Sequence, residues 1–114
     1  MPLNFNMQES SGVTILALRG KIVLGPESSA LREKIKQLLA ANKKKIVLNL
    51  ADVSFIDSAG VGTLVAAYTS TKAQASEMKL ANLTKKFRET LQVTRLLTVF
   101  DVYGSEADAV ASFK

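Results

Sequence analysis

The chain has 114 residues, of which 47% are hydrophobic and 22% charged, and this length and composition predict a single globular domain over residues 1–114. It contains neither Cys nor His, which excludes disulfide scaffolds, thiolate or imidazole metal sites, and Cys-His or Ser-His catalytic groups. The net charge of +5 raises the hypothesis of nucleic-acid binding, but we interpret the two basic clusters, 43–45 and 85–88, as solvated ends of helices that do not present aromatic residues for stacking on bases.

The first third of the chain predicts a β-hairpin. Apolar and polar residues alternate over 3–8, which is the period of a half-buried strand. A turn at 10–12 separates it from a second, β-branched strand over 13–18, antiparallel to the first. Residues 22–24 either continue this second strand or form an edge strand.

The first helix is predicted to begin at Pro26, because proline is tolerated in a first helical turn and the acidic Glu27 complements the helix dipole. Apolar residues at helical spacing carry it to about Asn42. The apolar, branched segment 46–50 then predicts a buried central strand, and 51–57 a connection to the next helix.

The second half of the chain continues the alternation of helices and strands. A helix is predicted from Ser58 to near Gln74, a strand over 78–83, and a short helix capped by Thr84. The segment 96–100 is ambiguous and is interpreted as a connection into a strand at Val102. A capping-box pattern at Ser105 begins a last helix through Val110 and Phe113.

This order predicts an α/β fold with one mixed sheet of about four to five strands flanked by about four helices. The core is predicted from the apolar positions of the central strand and the helices: Leu31, Ile35, Leu38, Val47, Leu48, Leu50, Leu64, Val65 and Phe87. No apolar run is long enough to span a membrane, and residues 1–5 lack the pattern of a signal peptide. The sequence therefore predicts a cytoplasmic protein that is not integral to a membrane.

The segment from Asp57 to Gly62 is the one that points to a function. Glycine is unfavourable within a helix, so Gly60 and Gly62 in its first turns require a reason such as close approach of another backbone or of a partner. Free backbone amides at the helix start could bind a phosphate on Ser58. The alternative is that Asp57 or Ser58 merely caps the helix.

Nothing in the sequence supports an enzyme, a cofactor site or a metal site. The Gly60–Thr63 stretch lacks the third glycine and the lysine of nucleotide-binding loops. Asp52 and Asp57 lie five residues apart without a convergent base or metal ligand, so we interpret them as a cap and a solvated acid. No catalytic residues, metal ligands or cofactor-binding residues are predicted.

The sequence from Asp57 to Leu64, Asp-Ser-Ala-Gly-Val-Gly-Thr-Leu, resembles the Asp-Ser-x-Gly-x-Gly-x-Leu signature of the STAS domain found in bacterial anti-sigma-factor antagonists. The similarity extends to 46–56, which resembles the strand and loop before that signature, to 18–22, which resembles a strand leading into a glycine-centred turn, and to 80–83.

The resemblance implies a phosphorylation switch. In such proteins the unphosphorylated antagonist binds an anti-sigma factor that is also a GHKL-type serine kinase, and a PPM-type phosphatase reverses the modification. By position, Ser58 would be the phosphorylated residue and Asp57 would orient its hydroxyl or contact the kinase. The stretch of Asp57, Ser58, Ala59, Gly60, Val61 and Gly62 would form the partner-binding surface.

Two features depart from the family pattern. Val23 replaces an acid that would lie near the serine, and the chain is basic where such antagonists are often acidic. A basic surface favours an acidic partner or an anionic membrane surface. The alternatives are thus a STAS subunit of a lipid-transport ABC system, a scaffold of a stress-signalling assembly, or a small nucleic-acid-binding protein.

Overall fold

The computed structural model describes residues 3–113, so Met1, Pro2 and Lys114 of the predicted domain lie outside the described residues. The described part of the chain forms five strands and four helices. In chain order these are β1 (Asn4–Ser10), β2 (Val13–Ile22), α1 (Pro26–Ala40), β3 (Lys45–Ile56), α2 (Ser58–Ala73), β4 (Glu77–Ala81), α3 (Lys85–Val93), β5 (Asp101–Tyr103) and α4 (Glu106–Ala111).

The strands form one sheet in the order β1-β2-β3-β4-β5. β1 pairs antiparallel with β2, and the remaining neighbours are parallel. Each parallel connection contains a helix, as a crossover between parallel strands requires. The predicted mixed α/β sheet with about four helices is confirmed, and the ambiguous segment 96–100 leads into β5.

The helices cover the two faces of the sheet unequally. Residues of α1, α2 and α3 share one apolar cluster with alternate residues of β2 and β3, including Leu16, Leu48 and Leu50. The short α4 covers the opposite face, where Ala109 packs with Val47. All the predicted core residues are buried except Val65, which is half-buried against the larger cluster.

The central strand is longer than predicted. The connection predicted over 51–57 is wrong, because β3 runs to Ile56 and stays paired with β2 to that point. The pairing shifts register twice, near Ala17 and Gly20, and these irregularities leave Asp52 and Ser54 exposed within the strand. A strand with bulges loses the strict alternation of apolar and polar residues, and this is why the sequence pattern of this segment predicted a loop.

Two further predictions near the hairpin need correction. β1 is one of the two edge strands, and of the apolar residues predicted to face the core Leu3 is buried and Phe5 half-buried, whereas Met7 is exposed. The alternation continues in the sequence, but Met7 lies in an outermost strand of the sheet, where its side chain remains accessible. β2 ends at Ile22, so Val23 and Leu24 form a turn rather than a strand.

Candidate functional site

The motif that begins at Asp57 lies at the carboxyl ends of β2 and β3. β3 ends at Ile56 and α2 begins at Ser58, so a single residue, Asp57, joins the strand to the helix. The turn after β2 lies beside this junction, because the Asp57 amide donates to the Ile22 carbonyl at 3.3 Å. Ligand sites of open α/β sheets occur at this edge.

Asp57 is the N-cap of α2. Its Oδ1 accepts a hydrogen bond from the Gly60 amide at 2.8 Å, and its Oδ2 accepts one from the Leu24 amide at 3.1 Å. These two bonds, first the one from Gly60 and then the one from Leu24, hold the pKa of the Asp57 carboxyl below its usual value. The carboxylate therefore both caps the helix and ties the β2–α1 turn to it, and its oxygens already have backbone partners.

Gly60 is explained by packing inside the protein. It is buried, and a Cβ built on it would lie 2.0 Å from the Ile22 carbonyl oxygen and 2.9 Å from Ile56 Cγ1. Val61, which follows it, is only 3% exposed. Gly60 and Val61, which the resemblance includes in the partner-binding surface, are both buried and shape the junction beneath that surface.

The residues of the motif that a partner can reach are Ser58, Gly62 and parts of Asp57 and Ala59. Ser58 is the first residue of α2 and is exposed, and Ala59 is half-buried. Gly62 is exposed with open space around its Cα, so it imposes no close approach within the chain. The part of the predicted partner-binding stretch that is accessible is thus smaller than the whole of 57–62, and the exposed Ser58 lies within it.

Sequence reasoning missed one apolar residue at this site. Leu24 is 78% exposed, and its amide is bonded to Asp57, the residue before Ser58. Val23, where an acid was expected, is half-buried and its carbonyl accepts a hydrogen bond from Ser28 Oγ at 2.6 Å. The turn does lie near the serine, as predicted, but it presents leucine there and no carboxylate.

A second missed feature brings an aromatic ring to one of the basic clusters. Phe55 is 41% exposed, and the Lys86 ammonium lies over its ring, 5.6 Å from the centroid. Lys21 of β2 pairs with Phe55 in the sheet register. Phe87 stands within 85–88 in the sequence but is buried, and the fold supplies an exposed ring, Phe55, from a strand about thirty residues away, which no local pattern reveals.

The described range shows neither a metal-binding cluster nor a membrane-spanning helix. Within residues 3–113, no three acidic side chains lie together in a way that could hold a metal ion. None of the helices in that range combines the length and apolarity that crossing a membrane demands. Asp52 lies opposite Arg19 in the register of β2 and β3, and five residues before Asp57 in the chain.

The chain was compared with known proteins. The family model of the STAS domain matches residues 4–109. A protein of Bacillus subtilis (strain 168) named anti-sigma-B factor antagonist is 28% identical to the chain over 110 residues, which cover 96% of this chain and 99% of that relative.

Two solved structures share the fold. An anti-sigma factor antagonist from Mycobacterium paratuberculosis superposes with a TM-score of 0.85 at 22% identity, covering 96% of this chain and 92% of that one. The Bacillus cell fate determinant SpoIIAA in its phosphorylated form gives a TM-score of 0.72 at 21% identity, covering 97% and 100%.

Proposed function

The chain belongs to the STAS domain family, and we propose that it is an anti-sigma-factor antagonist controlled by phosphorylation of Ser58. In the unphosphorylated form it binds and sequesters an anti-sigma factor, which frees a sigma factor. The observation that carries the proposal is the exposed Ser58 at the start of α2, within the family's signature. Because sigma factors act on RNA polymerase, this function would take place in the cytoplasm.

The comparisons support the binding partner. The Bacillus subtilis relative is named an anti-sigma-B factor antagonist, and the likeness extends over almost its whole length. Members of this family act by binding. The site in our structure is compatible with binding, because backbone hydrogen bonds engage both Asp57 oxygens and Ser58 is exposed on the surface. These features favour a regulator over an enzyme.

We further propose that a GHKL-type serine kinase, which is the anti-sigma factor itself, phosphorylates Ser58 and that a PPM-type phosphatase removes the phosphate. A phosphate adds a charge of about −1.5 to −2. It would stand next to the Asp57 carboxylate, whose hydrogen bonds keep it ionised. A partner surface fitted to a small neutral hydroxyl would have to desolvate that dianion, so phosphorylation would release the partner.

The experiment begins with a two-hybrid screen of this chain against every anti-sigma factor encoded by its host. The factor found is then purified, and its affinity is measured by calorimetry for the wild type, Ser58→Ala and Ser58→Asp. Ser70→Asp is the matched control, because Ser70 is an exposed serine further along α2.

We expect Ser58→Ala to bind as the wild type does and to resist the kinase, and Ser58→Asp to bind at least roughly tenfold more weakly. Ser70→Asp should bind normally. After incubation with the anti-sigma factor and ATP, mass spectrometry should locate the phosphate on Ser58. Phosphate on Ser54, Ser70 or Thr71 with Ser58 unmodified would refute the assignment.

A further inference from the structure

The start of α3 differs in charge from two other helix starts at the carboxyl edge of the sheet, because the first turn of α1 carries Glu27 and that of α4 carries Glu106 and Asp108. α2 and α3 both begin at this edge, and a helix N-terminus carries the positive end of the helix dipole. The first turn of α3 contains Lys85 and Lys86 and no acidic residue. Cations at a helix N-terminus oppose the dipole and cost stability, so the stability of α3 does not account for them.

No acidic side chain of the described residues forms a salt bridge with Lys21, Lys85 or Lys86. Within residues 3–113 the salt bridge formed is Lys43–Glu9, which lies at the opposite, amino end of β3. Both carboxylate oxygens of Asp57 already accept hydrogen bonds from backbone amides. Lys21 and Lys86 therefore keep their charge available at the edge where Ser58 is exposed.

The same two lysines flank an apolar surface. Phe55 lies beneath the Lys86 ammonium and beside Lys21 of the neighbouring strand. A shallow cleft continues from it between the end of β3 and α3, lined by Ser54, Phe55, Thr84, Lys86 and Thr90. Across the end of the sheet, Leu24 adds an aliphatic side chain that is 78% exposed.

We propose that this cleft, together with Leu24, binds an acidic segment of the anti-sigma factor that places an apolar side chain against Phe55. The inference rests on the proposed function and adds the chemistry of the partner. An apolar centre with a rim of charge is typical of protein interfaces. Nucleic acid is less favoured, since Leu24 offers no ring for stacking and Phe55 is the one aromatic residue of the cleft exposed to solvent.

This surface also explains how phosphorylation could act in a basic protein. A phosphate on Ser58 would cancel about two of the positive charges that attract the acidic segment. It would also leave the partner's carboxylates facing a dianion. The switch would therefore depend on salt, because charge attraction between exposed groups is screened over a Debye length of about 8 Å at physiological ionic strength.

The test measures association and dissociation rates with the anti-sigma factor found by the two-hybrid screen, at about 50 and about 300 mM NaCl. The variants are the double change Lys21→Glu and Lys86→Glu, and separately Phe55→Ala. The matched controls are the double change Lys36→Glu and Lys44→Glu at exposed lysines elsewhere, and Val93→Ala at an apolar residue that is 83% exposed. Circular dichroism confirms that each variant is folded.

We expect the Lys21/Lys86 double variant to associate roughly tenfold more slowly at low salt, with a smaller difference at high salt, and Phe55→Ala to dissociate faster. The controls should match the wild type. If the cleft variants also match the wild type while Ser58→Asp still abolishes binding, this inference fails and the proposed function stands. If the wild type binds none of the host's anti-sigma factors, both fail.

A competing ligand has its own measurement. The wild type and the Lys21/Lys86 double variant are titrated with a single-stranded oligonucleotide at physiological salt. We expect no binding that differs between them. Oligonucleotide binding that the double variant loses, with anti-sigma factor binding unchanged, would assign the cleft to nucleic acid and overturn the proposal.

Discussion

Replacing Gly60 with alanine tests the close approach between α2 and β2. The added Cβ would lie 2.0 Å from the Ile22 carbonyl oxygen and 2.8 Å from its carbon, and both are backbone atoms that cannot rotate away. Overpacking a core costs about 1–3 kcal/mol, whereas alanine gains up to about 1 kcal/mol over glycine within a helix. Because the obstructing atoms are backbone, we expect the clash to dominate, with a net loss of about 1–2 kcal/mol.

Gly62→Ala is the control, two residues along the same helix. A Cβ there meets no atom within 4 Å, so only the helix propensity remains and the variant should gain about 0.5–1 kcal/mol. Urea denaturation followed by circular dichroism measures both. The Gly60→Ala midpoint should fall by roughly 1 M, while that of Gly62→Ala should rise slightly. A Gly60→Ala variant as stable as Gly62→Ala would refute the close approach and our account of the junction.

Two other changes test the core and the cap. Leu48 is fully buried in the central strand, so Leu48→Ala should lower the free energy of unfolding by ~2–5 kcal/mol, and a loss below ~1 kcal/mol in urea would contradict its burial. Asp57→Asn keeps one acceptor oxygen but cannot accept from both the Gly60 and Leu24 amides, so it should be less stable than the wild type at neutral pH. Since the pKa of Asp57 is lowered on folding, the wild-type advantage is complete above the unfolded pKa of about 3.9 and is lost as pH falls through the lower folded value. Urea midpoints of the two proteins should therefore converge progressively as pH falls below about 3.9, and a constant gap would exclude the carboxylate as its source.

The helix starts could be predicted from the sequence because the determining interactions are local. Thr84 accepts from the Phe87 amide and Ser105 from the Asp108 amide, so each cap and its partner lie three residues apart. Asp57 caps α2 through the same spacing, to Gly60. The order of helices and strands followed from these starts and from the apolar periods between them.

The rest of the site depends on contacts between distant segments. The bond from the Leu24 amide to Asp57 spans 33 residues, and the Phe55–Lys86 contact joins a strand to a later helix. Neither leaves a periodic signal. Gly60 was correctly identified as needing a reason, but the sequence could not distinguish a partner from the Ile22 carbonyl as the group that approaches it.

The construction of the junction determines how a phosphate on Ser58 could act. Asp57 fixes the β2–α1 turn to the first turn of α2 by two hydrogen bonds, and Gly60 lets Ile22 pack directly beneath. Ser58 therefore lies at a junction that hydrogen bonds and packing attach to both β2 and β3. Its own side chain is exposed. A group added there changes the charge and shape of the surface without needing to displace buried atoms. The proposed switch would act on the partner's fit and attraction, and its strength would depend on the side chains exposed at the same edge of the sheet, which include Lys21, Leu24, Phe55 and Lys86.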